Sequence, residues 1–204
     1  MEIWGFVHKH NSIPDKEAIS DALKYVGYKN IELNSEESSI RFLKKSVKID
    51  FGGIAKGYAV DRAKDIMASR GIKNGLVNLG GNIFALGNAS GKRKWKIGVQ
   101  DPRDKDKVLY SFELTDRAIS TSGNYERFFE IGGKRYSHIM NPLTGEPCEG
   151  IISVTVVADS AEEADALSTA IFVMGEEKGL TLAKSIKGIE VLMLKEDSKI
   201  ISYP

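Results

Sequence analysis

Two residues four positions apart, Asp165 and Thr169, are the first candidates for a chemical role. They lie in a predicted helix, so this spacing places them on one face. The same face carries Ala161 and Phe172, so it should point inward, where a carboxylate needs a partner. A carboxylate and a hydroxyl offer hard oxygen donors, which suit Mg²⁺ better than zinc. The alternative is a structural Asp165, paired with a lysine or a backbone N–H.

A glycine pair interrupts the chain in the segment DFGGIAKG, residues 50–57. A predicted strand ends at Asp50, the glycines allow close backbone approach, and a helix begins. Backbone N–H groups at a helix start suit a phosphate. The glycine spacing matches neither Walker A nor GxGxxG. The alternative to a phosphate site is a tight turn without a ligand. A second pair, Gly80 and Gly81 before Asn82, is interpreted as a β-bulge.

A hydroxyl-rich stretch and a histidine form the third candidate region. The stretch could hydrogen-bond phosphates or ribityl hydroxyls, or it could be a solvated turn. His138 ends a predicted strand, and a histidine near its ordinary pKa is a natural general base; alternatively it only holds the loop. We expect His8 and His10 at the surface. The stretch consists of Ser120, Thr121, Ser122 and Gly123.

Composition narrows the class of protein. With 204 residues and 22.4 kDa, the chain is expected to form one domain, residues 1–204. A net charge of +1 argues against a dedicated nucleic-acid binder. One cysteine, Cys148, excludes an intramolecular disulfide and a thiolate metal cage built from this chain alone. No apolar run approaches the roughly 20 residues that a membrane span needs.

The pattern of apolar residues and breakers predicts an α+β fold with a mixed, largely antiparallel sheet and flanking helices. Helices are predicted at 14–26, at 55–69, from the Ser160 cap to about 173, and at 176–187. Strands are predicted at 30–33, 39–42, 47–50, 76–79, 95–99, 108–114, 125–131, 134–139, 152–157, 189–194 and 198–202.

Five motifs in one order resemble the ApbE family, the FAD:protein FMN transferases. The resemblance covers nearly the whole chain, from the Trp4-Gly5-Phe6 segment onward. The motifs are DFGGIAKGYAVD, NLGGN, ISTSGNYERFF, SHIMNPLTGEP and SVTVVADSAEEADALSTAIFVMG.

The resemblance implies an α+β protein that binds FAD and Mg²⁺, cleaves the FAD pyrophosphate, transfers FMN to a Ser or Thr hydroxyl of a target protein and releases AMP. By motif, the carbonyl of Gly53 and the side chains of Asp165 and Thr169 correspond to the metal ligands, and His138 to the base. The implied FAD contacts are Asp50, Lys56, Met140 and the residues Ser120, Thr121, Ser122 and Gly123.

Two other functions stay open. Some family members hydrolyse FAD to FMN and AMP, and a flavin-binding module without catalysis is a third possibility. The family's implied targets are flavoproteins, either subunits of membrane redox pumps or flavin-carrying reductases. Family members normally carry a section before the Trp4 segment, with an export or lipoprotein signal. We therefore expect a location outside the cytoplasmic membrane for the family, and a cytoplasmic one if this chain is complete.

Overall fold

The computed structural model describes residues 1–7 and 12–204, so His8 and His10 lie outside the described part. The chain divides into two compact units. The first contains residues 1–50 and 126–148, and the second contains residues 51–125 and 149–204. No helix in the described ranges is long and apolar enough to cross a membrane.

Within residues 1–7 and 12–204, three helices and twelve strands follow one another. The helices are α1 (Lys16–Leu23), α2 (Ala55–Ser69) and α3 (Ala161–Ser185). The strands are β1 (Ile31–Asn34), β2 (Ser39–Phe42), β3 (Gly75–Leu79), β4 (Asn82–Leu86), β5 (Trp95–Asp101), β6 (Asp104–Leu114), β7 (Arg117–Gly123), β8 (Phe128–Ile131), β9 (Lys134–Ser137), β10 (Ile151–Ala158), β11 (Glu190–Lys195) and β12 (Ile200–Tyr203).

The second unit is built on a six-stranded sheet in the order β12-β11-β10-β7-β4-β3. Every neighbouring pair in it is antiparallel, which confirms the predicted fold class. The β-branched run of β10 is buried along nearly its whole length because this strand lies inside the sheet, with β7 and β11 beside it.

The two faces of this sheet have different covers. Ala85, Ile119, Val157 and Leu192 share one face and pack with apolar residues of the β5–β6 hairpin. Successive residues of a strand alternate between the faces. The other face therefore receives the helices, with α3 against β7 and β10 and α2 against β3 and β4.

The third helix begins and breaks where the sequence predicts. Ser160 is the N-cap, and its hydroxyl accepts the N–H of Glu163 at 3.1 Å. Gly175 has φ +79°, a conformation that only glycine adopts readily, and it divides α3 into two helical parts.

The first unit has a small aromatic core. Trp4, Phe6 and Phe129 are buried together, and Ile19 of α1 packs against them. Tyr136 of β9 stacks on Phe129 of β8 with ring centroids 5.3 Å apart. The N-terminal segment is thereby joined to the β8–β9 hairpin.

Several sequence predictions need correction. Residues 47–50 form no strand, and α1 ends at Leu23, so Val26 lies beyond the helix and is exposed. The predicted buried strand at 76–79 is the sheet edge, with Leu79 45% exposed. Strands β4 and β7 were not predicted. In β7 serine and threonine obscure the apolar alternation, and β4 is a short run directly after the Gly80-Gly81 pair.

Candidate active site

Asp165 lies buried on α3, with 4% of its surface exposed. Its Oδ2 accepts the backbone N–H of Gly57, in the first turn of α2, at 2.9 Å. The first N–H groups of a helix have no partner within the helix and carry its positive dipole end. The Asp165 carboxylate therefore has a backbone N–H as its partner, as the structural alternative for this residue predicted. The hydrogen bond to Gly57 fixes the orientation of the carboxylate.

Gly57 allows the two helices to meet at this point. A Cβ at Gly57 would lie 2.2 Å from the carbonyl oxygen of Ala161 and 2.7 Å from Cα of Glu162. Both neighbours are backbone atoms of α3, so no side chain could move aside. The glycine is thus required for the contact between the first turns of α2 and α3.

Asp61, one turn further along α2, caps α3. Its Oδ1 accepts the N–H of Ala161 and its Oδ2 accepts the N–H of Glu162, each at 2.9 Å. With the Ser160 cap, the first three N–H groups of α3 all have acceptors. Sequence analysis missed this role, because the closing aspartate of DFGGIAKGYAVD has no local signal for a helix 100 residues away.

Gly53 lies beside Thr169. A Cβ built on Gly53 would be 3.8 Å from Thr169 Oγ1, an ordinary contact distance. Thr169 follows Asp165 by one helical turn. The Asp165 carboxylate and the Thr169 hydroxyl offer an oxygen-only donor set, which fits a hard divalent cation. The described residues contain no group of three His, Cys, Asp or Glu that could bind a metal.

The hydroxyl-rich stretch is strand β7, not a solvated turn. Ser122 Oγ lies 2.9 Å from both Ser168 Oγ and Thr169 Oγ1 of α3. Thr121 points to the opposite face, where its hydroxyl meets Thr155 at 2.8 Å. Of the predicted residues in this strand, Ser122 therefore approaches the Asp165 region and Thr121 is turned away from it.

Ser120 and Gly123 serve this strand in other ways. Ser120 Oγ donates to Asn82 Oδ1 at 2.9 Å, and both residues are buried. The Nδ2 of Asn82 is buried without a hydrogen-bond partner in the described structure. A Cβ at Gly123 would lie 2.5 Å from the Tyr125 ring, so any other residue at this position would require the ring to move.

Two glycine motifs meet at Lys56. Gly80 and Gly81 form a two-residue hairpin loop between β3 and β4, with φ +57° and +90°. The predicted bulge is therefore a tight hairpin turn. A Cβ at Gly80 would be 3.9 Å from Lys56 Cδ, so the lysine stem passes over this turn.

His138 belongs to the first unit, directly after β9. Its Nδ1 lies 3.0 Å from the carbonyl oxygen of Arg127, which also accepts the His138 backbone N–H. Because a carbonyl only accepts, the neutral ring must carry its proton on Nδ1. The lone pair is then on Nε2, the tautomer that a base at Nε2 requires.

The loop after His138 is fixed from the N-terminal segment. Trp4 Nε1 donates to the carbonyl of Gly145 at 2.8 Å, and Met140 packs against the aromatic core of this unit.

The first unit also contains Cys148 and Asp50. Burial raises the pKa of the Cys148 thiol to about 11, so the thiol is protonated at neutral pH and is not an activated nucleophile. Asp50 is exposed at the end of the segment 1–50.

The chain belongs to the ApbE family, whose model matches residues 1–193. A crystal structure of the ApbE protein from Thermotoga maritima superposes with a TM-score of 0.91 at 42% identity, covering 98% of this chain and 66% of that one. The structure of the flavin transferase ApbE from Vibrio cholerae superposes with a TM-score of 0.82 at 33% identity, covering 95% of this chain and 61% of that one.

Two curated relatives carry the same name. The FAD:protein FMN transferase of Treponema pallidum is 33% identical over 98% of this chain and 59% of its own length. That of Rhodobacter capsulatus is 35% identical over all of this chain and 39% of its own length. The chain thus spans about two fifths to three fifths of these two relatives.

Proposed function

We propose that this chain carries the metal and pyrophosphate site of a Mg²⁺-dependent FAD:protein FMN transferase. One observation carries the proposal: Asp165 and Thr169 lie one turn apart on α3, with Gly53 beside Thr169 and the first turn of α2 bound to the carboxylate. The name shared by the curated relatives supports the reaction class.

The oxygen donors are suited to a doubly charged cation. Bound Mg²⁺ would neutralise the pyrophosphate and stabilise the charge that develops on the departing AMP. Phosphoryl transfer depends mainly on positioning and charge stabilisation. Lys56 adds a positive charge at the Gly80 turn, and we propose Lys56, Ser122 and Gly123 as FAD-contacting positions in the second unit. The contacts expected of Ser120 and Thr121 are not proposed, because Ser120 is buried against Asn82 and Thr121 faces Thr155 on the other side of the sheet.

In the proposed reaction, a Ser or Thr hydroxyl oxygen of the acceptor protein attacks the phosphorus of the FMN half. The new P–O bond forms as the bridging P–O bond to AMP breaks, and AMP leaves with the bond electrons. We propose that His138 Nε2 accepts the hydroxyl proton, since Nδ1 faces the Arg127 carbonyl. Asp50 and Met140 are proposed to contact the flavin.

The acceptor is proposed to be a flavoprotein with a reactive Ser or Thr hydroxyl, such as a membrane redox-pump subunit or a flavin-carrying reductase. The location proposed from the family is outside the cytoplasmic membrane. Net charge near zero offers no basis for a nucleic-acid partner.

The test incubates the chain with FAD and Mg²⁺, with and without an acceptor flavoprotein. AMP is measured by chromatography and the acceptor by intact-mass spectrometry. We expect AMP release that depends on the acceptor, together with an acceptor heavier by one esterified FMN. Equal release of AMP and FMN without acceptor would identify an FAD pyrophosphatase instead. No AMP under either condition would contradict both reactions.

A further inference from the structure

We infer that Ser122 and Ser168 form a directed hydroxyl chain that presents the lone pairs of Thr169 Oγ1, and not its proton, to the proposed cation. The inference rests on the proposed function for the identity of that cation. The chain links β7 to α3 and consists of three hydroxyl groups and one backbone carbonyl.

The direction starts from Ser168. Its Oγ is 3.0 Å from the carbonyl oxygen of Asp165, three residues earlier on α3. A carbonyl has no proton to give, so Ser168 must donate its only hydroxyl proton there. Ser168 is fully buried, so bulk water does not compete for this hydroxyl.

The remaining protons follow in order. Ser168 can only accept from Ser122, whose Oγ is 2.9 Å away, so the Ser122 proton is also used. Ser122 must then accept from Thr169, whose Oγ1 is 2.9 Å away. The Thr169 proton therefore points at Ser122, and both the donor and acceptor roles of the three hydroxyls are assigned.

This assignment gives Thr169 a chemical preference. A hydroxyl that rotates freely could donate to a phosphate oxygen as readily as it accepts a cation. With its proton directed to Ser122, Thr169 Oγ1 offers only lone pairs to a ligand. Ser122 and Ser168 are therefore positioning residues, which favour a cation over a direct anion contact at this hydroxyl.

A second consequence concerns Asp165. The same chain ends on the Asp165 backbone carbonyl, while the Asp165 side chain accepts the Gly57 N–H. Both proposed side-chain ligands are thus oriented by partners outside the donor set. Partners of this kind typically contribute 10- to 100-fold to metal affinity.

The test measures Mn²⁺ binding to the purified chain by electron paramagnetic resonance of the free ion. We expect Ser122→Ala to weaken binding by roughly 10- to 100-fold and Ser122→Thr, which keeps the hydroxyl, to restore it largely. Ser168→Ala should weaken binding less, because Ser122 can then donate in either direction. Ser185→Ala is the matched control, since its Oγ makes the same i to i−3 bond, to Leu182 O at 2.7 Å, at an exposed site of α3.

Two further variants separate this inference from the proposed function. If Asp165→Asn and Thr169→Val weaken Mn²⁺ binding but Ser122→Ala matches wild type, the hydroxyl chain is wrong and the cation site stands. If neither Asp165→Asn nor Thr169→Val changes binding, the cation site itself is wrong. Weakening by Ser122→Ala that Ser122→Thr fails to restore would indicate packing rather than the hydroxyl. Should Ser122→Ala not fold, wild-type affinity in Ser168→Ala would overturn the inference.

Discussion

The backbone N–H of Gly57 donates to the carboxylate of Asp165 across 2.9 Å, and this bond joins the first turn of α2 to the inner face of α3. A glycine is needed at one end of it because a Cβ would strike the α3 backbone at 2.2 Å. A carboxylate at the other end satisfies an N–H that has no acceptor within its own helix. The geometry of the proposed cation site therefore depends on a packing contact between two helices.

Gly57→Ala should destabilise the fold and disturb the site together. Overpacking typically costs about 1–3 kcal/mol, and here the obstacle is backbone, so we expect the upper part of that range or more. Chemical denaturation measures the loss. Gly75→Ala is the control, since its Cβ would meet mainly the flexible end of the Met67 side chain. Equal stability of the two variants would show that α2 and α3 can separate without cost.

Asp61→Ala should destabilise the second unit by removing the acceptors of the Ala161 and Glu162 N–H groups. A buried unsatisfied group costs about 1–3 kcal/mol. Asp61→Asn keeps one acceptor oxygen, so its free energy of unfolding should lie between those of the wild type and Asp61→Ala. Asp65→Ala, which breaks surface ion pairs on the same helix, should change stability by no more than about 1 kcal/mol. If Asp61→Ala were as stable as the wild type, the cap by Asp61 would contribute nothing to the stability of the fold.

His138→Ala should slow FMN transfer by roughly 10²- to 10⁴-fold, the usual contribution of a general base. FAD affinity should stay within several-fold of wild type, because the proposed role of the ring is proton transfer. Single-turnover transfer rates between pH 6 and 8, beside FAD binding by calorimetry, separate the two effects. A variant with the wild-type rate throughout this range would contradict the base assignment and leave His138 the structural role of holding the loop, through contacts such as its bond to the Arg127 carbonyl.

Trp4→Phe should loosen the loop after His138, since it removes the Nε1–H bond to Gly145 and keeps an aromatic ring near Tyr136. One hydrogen bond contributes about 0.5–1.5 kcal/mol. Trp95→Phe is a matched control, because Trp95 Nε1 bonds the Leu86 carbonyl in the second unit. We expect Trp4→Phe to slow FMN transfer and Trp95→Phe to affect stability alone. If both variants transferred FMN at the same rate, the position of the loop after His138 would not matter for the reaction.

Sequence patterns predicted the elements whose signals are local. Helix α2 was predicted with its exact bounds, because its apolar spacing and the flanking glycines agree. The Ser160 cap and the break at Gly175 were also confirmed, since a cap and a glycine act within one turn. The buried run of β10 identified an inner strand of the sheet.

Contacts between distant segments could not be predicted from these local signals. Serine and threonine in β7 suggested a solvated turn, and the Gly80-Gly81 pair before β4 suggested a bulge. A polar residue can nevertheless occupy a buried strand when a partner satisfies it, as Ser120 and Asn82 show. Asp61 likewise gave no local signal of its cap on α3. Asp165 and Thr169 were placed on one face by helical spacing, while their links to Gly57 and Ser122 depend on the tertiary fold.

The most direct test of the proposed cation site is the Mg²⁺ dependence of AMP release from FAD by the Asp165→Asn variant, in the presence of an acceptor flavoprotein. Asparagine keeps an oxygen for the Gly57 N–H and removes the charge, so folding and cation binding are separated. We predict a folded protein whose AMP release at limiting Mg²⁺ falls by at least about 10-fold, because even the partners that only orient a metal ligand contribute roughly 10- to 100-fold, with partial recovery at high Mg²⁺. A variant with the same Mg²⁺ dependence and rate as wild type would contradict the assignment of Asp165 to the cation.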